Sequence, residues 1–422
     1  MKKEVVITGM GVLSPIGNTL DDYWQELCEG KSGVGVLSAI QTSLPDKPYG
    51  SELSDFSPKD YVKPKKNIKV MSRDIQMGFV AVALACANAG LILEGDEHSV
   101  DPERMGVVFG CDLIALDLTE LIDAFKVGIS DGKYDYSTWG TAAMAKIMPL
   151  WMLKYLPNMP ACHIGIALDA RGPNNTPTLE RASSLSAMIE AAHVIERGDA
   201  DVMVCGGCGN KVNPAALARS ELLDMVPSAD DLQSQPRPFD AQRRGTILGE
   251  GSGAFVLESK EFALARGAKP IATILGSGRT MAPARQRGTN REGIARSIRE
   301  ALADGSRTVA DIDHVNVDGL GVVYDDAEEA AAVRETLGDT PVFSAKGHFG
   351  NLGSGTGAVE LVASLLGLQH GTIPATRNCD QIADDCPVNV IKDGPHAVNK
   401  PAFLKLNHTN MGRSVAALFE KF

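Results

Sequence analysis

A loop rich in glycine, proline and asparagine, Gly172-Pro-Asn-Asn-Thr-Pro-Thr-Leu-Glu-Arg-Ala-Ser-Ser184, runs straight into an apolar helical stripe of Leu185, Met188, Ile189, Ala192 and Ile195. Such a loop can aim a helix N-terminus at a cavity, where partial positive charge and free N–H groups activate a nucleophile. Ser183 and Ser184 stand at the helix start. A serine attacks only with a base in hydrogen-bond reach, and Asp318 or His408 would have to supply it. Helix-start packing is the simpler reading. His348 and His408 qualify by type as general bases, against the alternative of hydrogen-bonded loop histidines. Cys205-x-x-Cys208 has no second pair, which favours turn packing over a metal or redox site, and no metal centre is expected. Gly9-x-Gly11 lacks the further glycine and lysine of a phosphate loop.

The elements that must hold these residues alternate between apolar strands and helices. Thr178 is the expected N-cap of the central helix, Glu180 suits its first turn, and Arg197-Gly198 reads as its stop. Asp201 to Gly207 reads as a buried strand, as does Arg104 to Gly110, and Glu4 to Gly17 reads as a strand followed by a glycine-rich turn. Helices are expected over 20–30, 74–90 and 260–267, the last capped by Ser259. The pattern then repeats weakly. Residues 270–276 echo 5–9, 314–318 echo 105–110, 341–346 echo 201–205, and 412–420 echo 251–258. Strands alternating with helices in a duplicated unit give an α/β fold with helix-covered sheets. The expected halves are 1–258, with an insertion at about 112–160, and 259–422.

The 422 residues are 44% hydrophobic and can bury a large core. A net charge of −12 disfavours a nucleic-acid partner. No apolar run approaches the roughly 18 residues of a membrane span. Lys2-Lys3 precedes a first strand rather than a signal peptide, and the eight scattered cysteines fit a reduced, cytoplasmic setting.

The Gly-Pro loop, the following helix and the strand ending in Gly206-Gly207 together resemble the β-ketoacyl-acyl-carrier-protein synthases, the condensing enzymes of fatty-acid and polyketide synthesis. Glu4 to Gly17, Arg237-Pro-Phe-Asp240 and Gly249 to Glu258 strengthen the resemblance, which covers nearly the whole chain. It implies the thiolase-like fold, two duplicated halves in a five-layered α-β-α-β-α arrangement, and no cofactor. Such enzymes use a cysteine and two histidines. Counting along the motifs, the cysteine falls on Arg181, the first histidine on Asp318 and the second on Asn351, while Lys346, Asp326 and Glu329 match supporting positions. Arginine cannot be a nucleophile, since its pKa stays above about 12. An ion pair between Arg181 and Asp318, with Asn351 hydrogen-bonded to one of them, would satisfy the buried charges. Arg181 reaching solvent or pairing with Glu180 is the alternative.

The resemblance also implies a partner. Lys63, Lys65, Lys66, Lys69 and Arg73 form a basic cluster where an acidic acyl carrier protein would dock, and Arg285, Arg287 and Arg291 form a second candidate; a solvated face is the other reading. Met144, Met148 and Met152 are candidate pocket lining or subunit interface, and Met411 stands at a gating position. The reading that follows is a chain-length-factor-type partner of an active ketosynthase, in a dimer with that enzyme or with itself. A divergent acyl-transferring enzyme, or a homodimeric acyl- or carrier-protein-binding module, is the rival.

Overall fold

The computed structural model describes residues 2–38, 40, 48–92, 99–222, 236–283 and 289–422. In chain order, the elements that build the site are β1 (Val5–Leu13), α1 (Arg73–Asn88), β2 (Met105–Gly110), α2 (Ser183–Glu196), β3 (Val202–Asn210), β4 (Glu250–Ser259), β5 (Ala272–Met281), α3 (Arg291–Asp304), β6 (Ile312–Asn316), α4 (Val323–Leu337), β7 (Pro341–Phe343), α5 (Thr356–His370), β8 (Ala402–His408) and β9 (Arg413–Lys421).

One 11-stranded sheet runs from the short edge strand Asn389–Val390 through β7, β6, β8, β9, β5, β1, β4, β3 and β2 to the edge strand Asn174–Asn175. Outward from β1 the pairings to β4 and then β3 are antiparallel, and those to β2 and Asn174–Asn175 are parallel. Outward from β5, the pairings to β9 and β8 are antiparallel, and those to β6 and β7 are parallel. The two halves therefore share one topology. They also share a bulge, between Ile7 and Gly9 in β1 and between Ile274 and Gly276 in β5. The N–H just past each bulge is satisfied by the last residue of a helix: Met10 donates to Asn88 Oδ1 at 3.0 Å, and Ser277 to Asp304 Oδ2 at 2.9 Å.

Three of the four expected repeats fall at matching places in the sheet. The fourth is corrected: residues 341–343 form β7, the counterpart of Asn174–Asn175, and the counterpart of β3 is β8. A short apolar run fits several places in a sheet, and only its hydrogen-bonded neighbours decide which.

Gly9 and Gly11 lie inside β1, where an added Cβ would sit 2.4 Å from Ala85 O and 2.2 Å from Ala81 O of α1. Gly276 and Gly278 play the same part against α3. The glycines let helix and sheet touch backbone to backbone, which explains the Gly-x-Gly without any phosphate.

Helix α1 covers β1, β3 and β4 on one outer side, while α3, backed by α4, covers β5 and β9 on the other. Helices α2 and α5 lie between the halves, and their Leu185, Met188, Ile189, Val359, Leu361 and Val362 share one core with Phe255, Phe403 and Phe419. This is the five-layered, thiolase-like arrangement. Both faces of each central strand are covered, so β1 is buried along its whole length and shows no polar alternation. Among the described residues no helix is long and apolar enough to cross a membrane.

Candidate functional site

The Gly-Pro loop ends in a 3-10 turn, Glu180–Ala182, that leads into α2. Thr178 does not cap it. Instead Ser183 Oγ accepts a hydrogen bond from Leu179 N–H at 2.8 Å, closing the turn from inside the helix. Glu180 takes a left-handed φ of 50°, at a cost of about 1 kcal/mol for a residue with a Cβ. The turn places the Arg181 side chain in the interior, where the residue is 2% exposed.

Asp318 follows β6 on a loop with left-handed glycines at 319 and 321. Helix α4 holds that loop. Glu329 accepts the N–H groups of Asp318 and Gly319, both at 2.8 Å, and Asp326 accepts those of Gly321 and Phe239 at 3.0 and 2.8 Å. Arg181 Nε donates to Asp318 Oδ2 at 3.0 Å, so the expected ion pair is present.

The pair is one end of a longer chain of charge. Lys346, after β7, donates to Asp318 Oδ1 and to Glu360 Oε1, both at 2.6 Å. Glu360, on α5, also accepts from Lys405 of β8 at 2.7 Å. Arg181, Asp318, Lys346, Glu360 and Lys405 alternate in sign across the interior, and each is almost fully buried. Asn407 ties the middle together, donating to Asp318 Oδ1 at 3.1 Å and Glu360 Oε2 at 3.3 Å. Burial alone would push the Asp318 carboxyl up, but the Lys346 ammonium and then the Arg181 guanidinium outweigh it and hold Asp318 far below the usual range. Burial, with Glu360 opposing and Lys346 assisting, lowers Lys405. His408 Nε2 lies 3.7 Å from both Asp318 Oδ2 and Glu329 Oε2. Burial outweighs the Asp318 charge and drops His408 to about 3, so its ring is neutral.

Glu360, Lys405 and Asn407 went unrecognised in the sequence. The signal was there: Lys405 sits inside Ala402-Phe-Leu-Lys-Leu406 and Glu360 inside Ala358-Val-Glu-Leu-Val362, and a charge within an apolar run needs a buried partner.

The expected bond of Asn351 to Arg181 or Asp318 is corrected. Asn351 bonds neither Arg181 nor Asp318; its Oδ1 accepts from Gly353 N–H at 3.0 Å and from the Thr356 hydroxyl at 3.4 Å, a local loop closure. His348 is turned away from Asp318, with Nδ1 donating to the Lys31 carbonyl at 2.8 Å, and burial lowers it to about 4. Ser183 contacts Ser354 Oγ at 3.1 Å, and Ser184 Oγ accepts from Ala358 N–H at 3.0 Å. Both are packing serines without a base. Cys205 and Cys208 are free and buried, and burial raises both thiols. Among the described residues no His, Cys, Asp or Glu cluster suits a metal.

Above Arg181 and Asn351 opens a cavity of about 1070 Å³, walled largely by Met71, Leu113, Ile114, Leu116, Val212 and Leu248. Met144, Met148, Met152 and Met411 do not border it. Each is exposed, the first three on the short turns of residues 136–154. Lys63, Lys65, Lys66 and Lys69 are exposed and do not line the cavity, whose wall takes up the chain at Met71. Arg73 departs from that cluster: it is half-buried and grips Glu250 through Nε at 2.5 Å and Nη2 at 2.6 Å. Arg291 pairs with Glu335, and Arg285 and Arg287 lie outside the described residues.

Comparison with known proteins gives one answer. Residues 2–263 match the β-ketoacyl synthase N-terminal domain and residues 271–380 its C-terminal domain. The 3-oxoacyl-[acyl-carrier-protein] synthase 2 of Synechocystis sp. is 29% identical over 434 residues, covering 100% of this chain and 99% of that one. A β-ketoacyl synthase from Burkholderia phymatum superposes with a TM-score of 0.88 at 27% identity, and the ishigamide ketosynthase/chain length factor with 0.86 at 26%, each over 100% of both chains. With two family domains spanning most of its length on a shared thiolase-like fold, this chain belongs to the β-ketoacyl synthase family.

Proposed function

We propose that this protein is a non-condensing ketosynthase homologue that pairs, as a chain-length factor does, with an active ketosynthase of fatty-acid or polyketide biosynthesis. One observation carries the reading: Arg181, at the position the family resemblance assigns to the nucleophilic cysteine, is buried and ion-paired to Asp318, at the position it assigns to a histidine. A guanidinium accepts no acyl group. A carboxylate held ionised by Lys346 and Arg181 does not polarise a malonyl carbonyl as a neutral imidazole would. The scaffold remains while the reacting groups are replaced by an ion-paired network. The likeness to a ketosynthase/chain length factor pair supports the same reading. In that role the chain contributes surface and shape: Met144, Met148 and Met152 pack against the partner subunit, and Lys63, Lys65, Lys66 and Lys69 face the acyl carrier protein.

The open cavity above Arg181 favours a second reading, a homodimeric acyl-binding module. Intact-mass spectrometry separates these from an enzyme. Incubation with acyl-carrier-protein thioesters leaves the mass of this chain unchanged, whereas a stable acyl adduct on it would overturn both readings. Co-purification with a ketosynthase encoded beside it selects the heterodimer; a self-symmetric dimer in its presence selects the module.

A further inference from the structure

Cys205 and Cys208 share a strand but not a neighbourhood. Side chains alternate along β3, so Cys205 packs in the core between the halves and Cys208 in the core beneath α1. A different thiol stands beside Cys208. Strands β2 and β3 run parallel with Gly110 opposite Gly207, and the next residues along them are Cys111 and Cys208. Neighbouring strands lie about 4.8 Å apart, inside the Cα separation of roughly 4.4–6.8 Å that a disulfide spans. Both cysteines are free, fully buried and members of the same core. Burial first, and then the Cys111 thiol, raise the Cys208 thiol, so each sulfur is within reach of the other. An ion pair already joins the same two segments, Lys211 to Asp112 at 2.5 Å.

We propose that Cys111 and Cys208 are a redox pair that hydrogen peroxide converts into an intramolecular disulfide, clamping the segment after β2 to β3. Cys208 gives its proton to Asp74, whose charge reaches that thiol and whose carboxyl borders the cavity. The sulfur takes one peroxide oxygen and becomes a sulfenic acid, and the other oxygen leaves as water with the proton from Asp74. The Cys111 sulfur then displaces the hydroxyl as a second water, and the S–S bond forms. Two thiols and one peroxide give one disulfide and two waters. Neither sulfur is open to solvent, so oxidation waits on local opening of the irregular residues 111–117, and a reductant meets the same barrier. The pair is a slow and lasting record of oxidation, not a fast sensor. Those residues carry Leu113, Ile114 and Leu116 of the cavity wall, so the bond fixes that side of the wall to a buried strand.

The test is peptide mapping of the purified full-length protein after hydrogen peroxide, with the remaining thiols blocked under denaturing conditions and digestion without reductant. The expected product joins the Cys111 peptide to the peptide that carries Cys205 and Cys208, lighter by two hydrogens than the separate peptides and parted by dithiothreitol. The link persists in C205A and is lost in C208A. Oxidation also raises the melting temperature of the native protein, and that shift is absent in C208A. A link that survives in C208A overturns the proposal. So does peroxide that oxidises the exposed Cys28 while Cys111 and Cys208 stay thiols, or that carries Cys208 to a sulfinic acid without a link. If C208A does not fold, fragmentation of the linked peptides from the native protein places the bond on Cys208 or on Cys205, and Cys205 overturns the pair. None of these outcomes bears on the non-condensing reading.

Discussion

Asp318 receives two buried cations at once, Arg181 on Oδ2 at 3.0 Å and Lys346 on Oδ1 at 2.6 Å. The two are not equivalent. Lys346 is also anchored to Glu360, whereas Arg181 meets the network through Nε alone. Asp318 is therefore the junction on which the outer cation depends.

The D318N variant leaves Arg181 without its carboxylate and Lys346 with Glu360 as its one remaining carboxylate partner, beside the backbone carbonyl of residue 318. Breaking a buried ion pair from one side costs about 3–5 kcal/mol, because a desolvated charge stays behind. R181M is milder, at about 1–3 kcal/mol, since Asp318 keeps Lys346 and Asn407. Urea denaturation of the two variants should preserve that order; R181M costing as much as D318N would show that Arg181 carries the network.

Much of this was legible in the sequence. The segments that open at Val5 and Val202 read as strands because each begins with consecutive apolar residues, as a strand covered on both faces requires. The Arg181–Asp318 pair was legible because motif counting brought two opposite charges to one buried place. Asn351 was misread because a short-range bond to Gly353 N–H, two residues on, competes successfully with any distant partner. The methionines of 144–152 misled because an apolar residue on an irregular turn gives no periodicity to distinguish inward from outward. The Glu360–Lys405 contact joins distant segments, so only the rule that buried charge must be paired could have announced it.

His348 makes stability depend on pH. Its native value of about 4 lies below the ordinary 6.5, because burial opposes the charged ring. Between those values the unfolded chain holds a proton that the native state rejects, so the contribution is complete above pH 6.5 and is lost as pH falls towards 4, by about 3 kcal/mol in all. The H348N variant keeps a donor for the Lys31 carbonyl but cannot titrate. Its stability, followed by denaturant midpoint from pH 7 to 4, should fall less steeply than that of the native protein, by up to one proton's worth of slope. Parallel curves would refute the assignment.

Restoring a thiol does not restore condensation. In R181C the new cysteine would stand at the start of α2, but the Asp318 carboxylate nearby raises its pKa, and no neutral imidazole replaces Asp318. Slow alkylation by iodoacetamide and no β-ketoacyl product from malonyl and acyl thioesters are the expected results. Product formation by R181C alone would show that the second-half loops are already competent.

Carrier-protein docking separates Lys65 and Lys66 from Arg73. The lysines are exposed, so K65E/K66E should weaken binding of an acidic carrier protein and flatten its salt dependence without changing thermal stability. Arg73 instead holds Glu250, which also accepts from Leu53 N–H at 2.9 Å, and R73E should lower the melting temperature. Unchanged carrier affinity in K65E/K66E, measured at low salt, would move the docking face elsewhere.

The insertion offers the sharpest test of partnership. Leu113, Leu118, Ile122, Phe125, Met144, Met148, Leu150 and Met152 are all exposed on a stretch of about forty residues. An apolar surface this dense usually marks an interface, since a lone soluble chain gains nothing by showing it to water. Its turns are tied by their own small cluster of Leu121, Ala124, Ala143 and Ile147, so the outward residues can change without emptying that core. L150E and M148E should therefore leave the melting transition of the isolated chain nearly unchanged. Burying either carboxylate against a partner carries a desolvation cost that should weaken association roughly tenfold or more. Light scattering after size exclusion, with and without the co-expressed ketosynthase, reads the outcome. Undiminished assembly of both variants would place the partner on another face and remove the insertion from the interface.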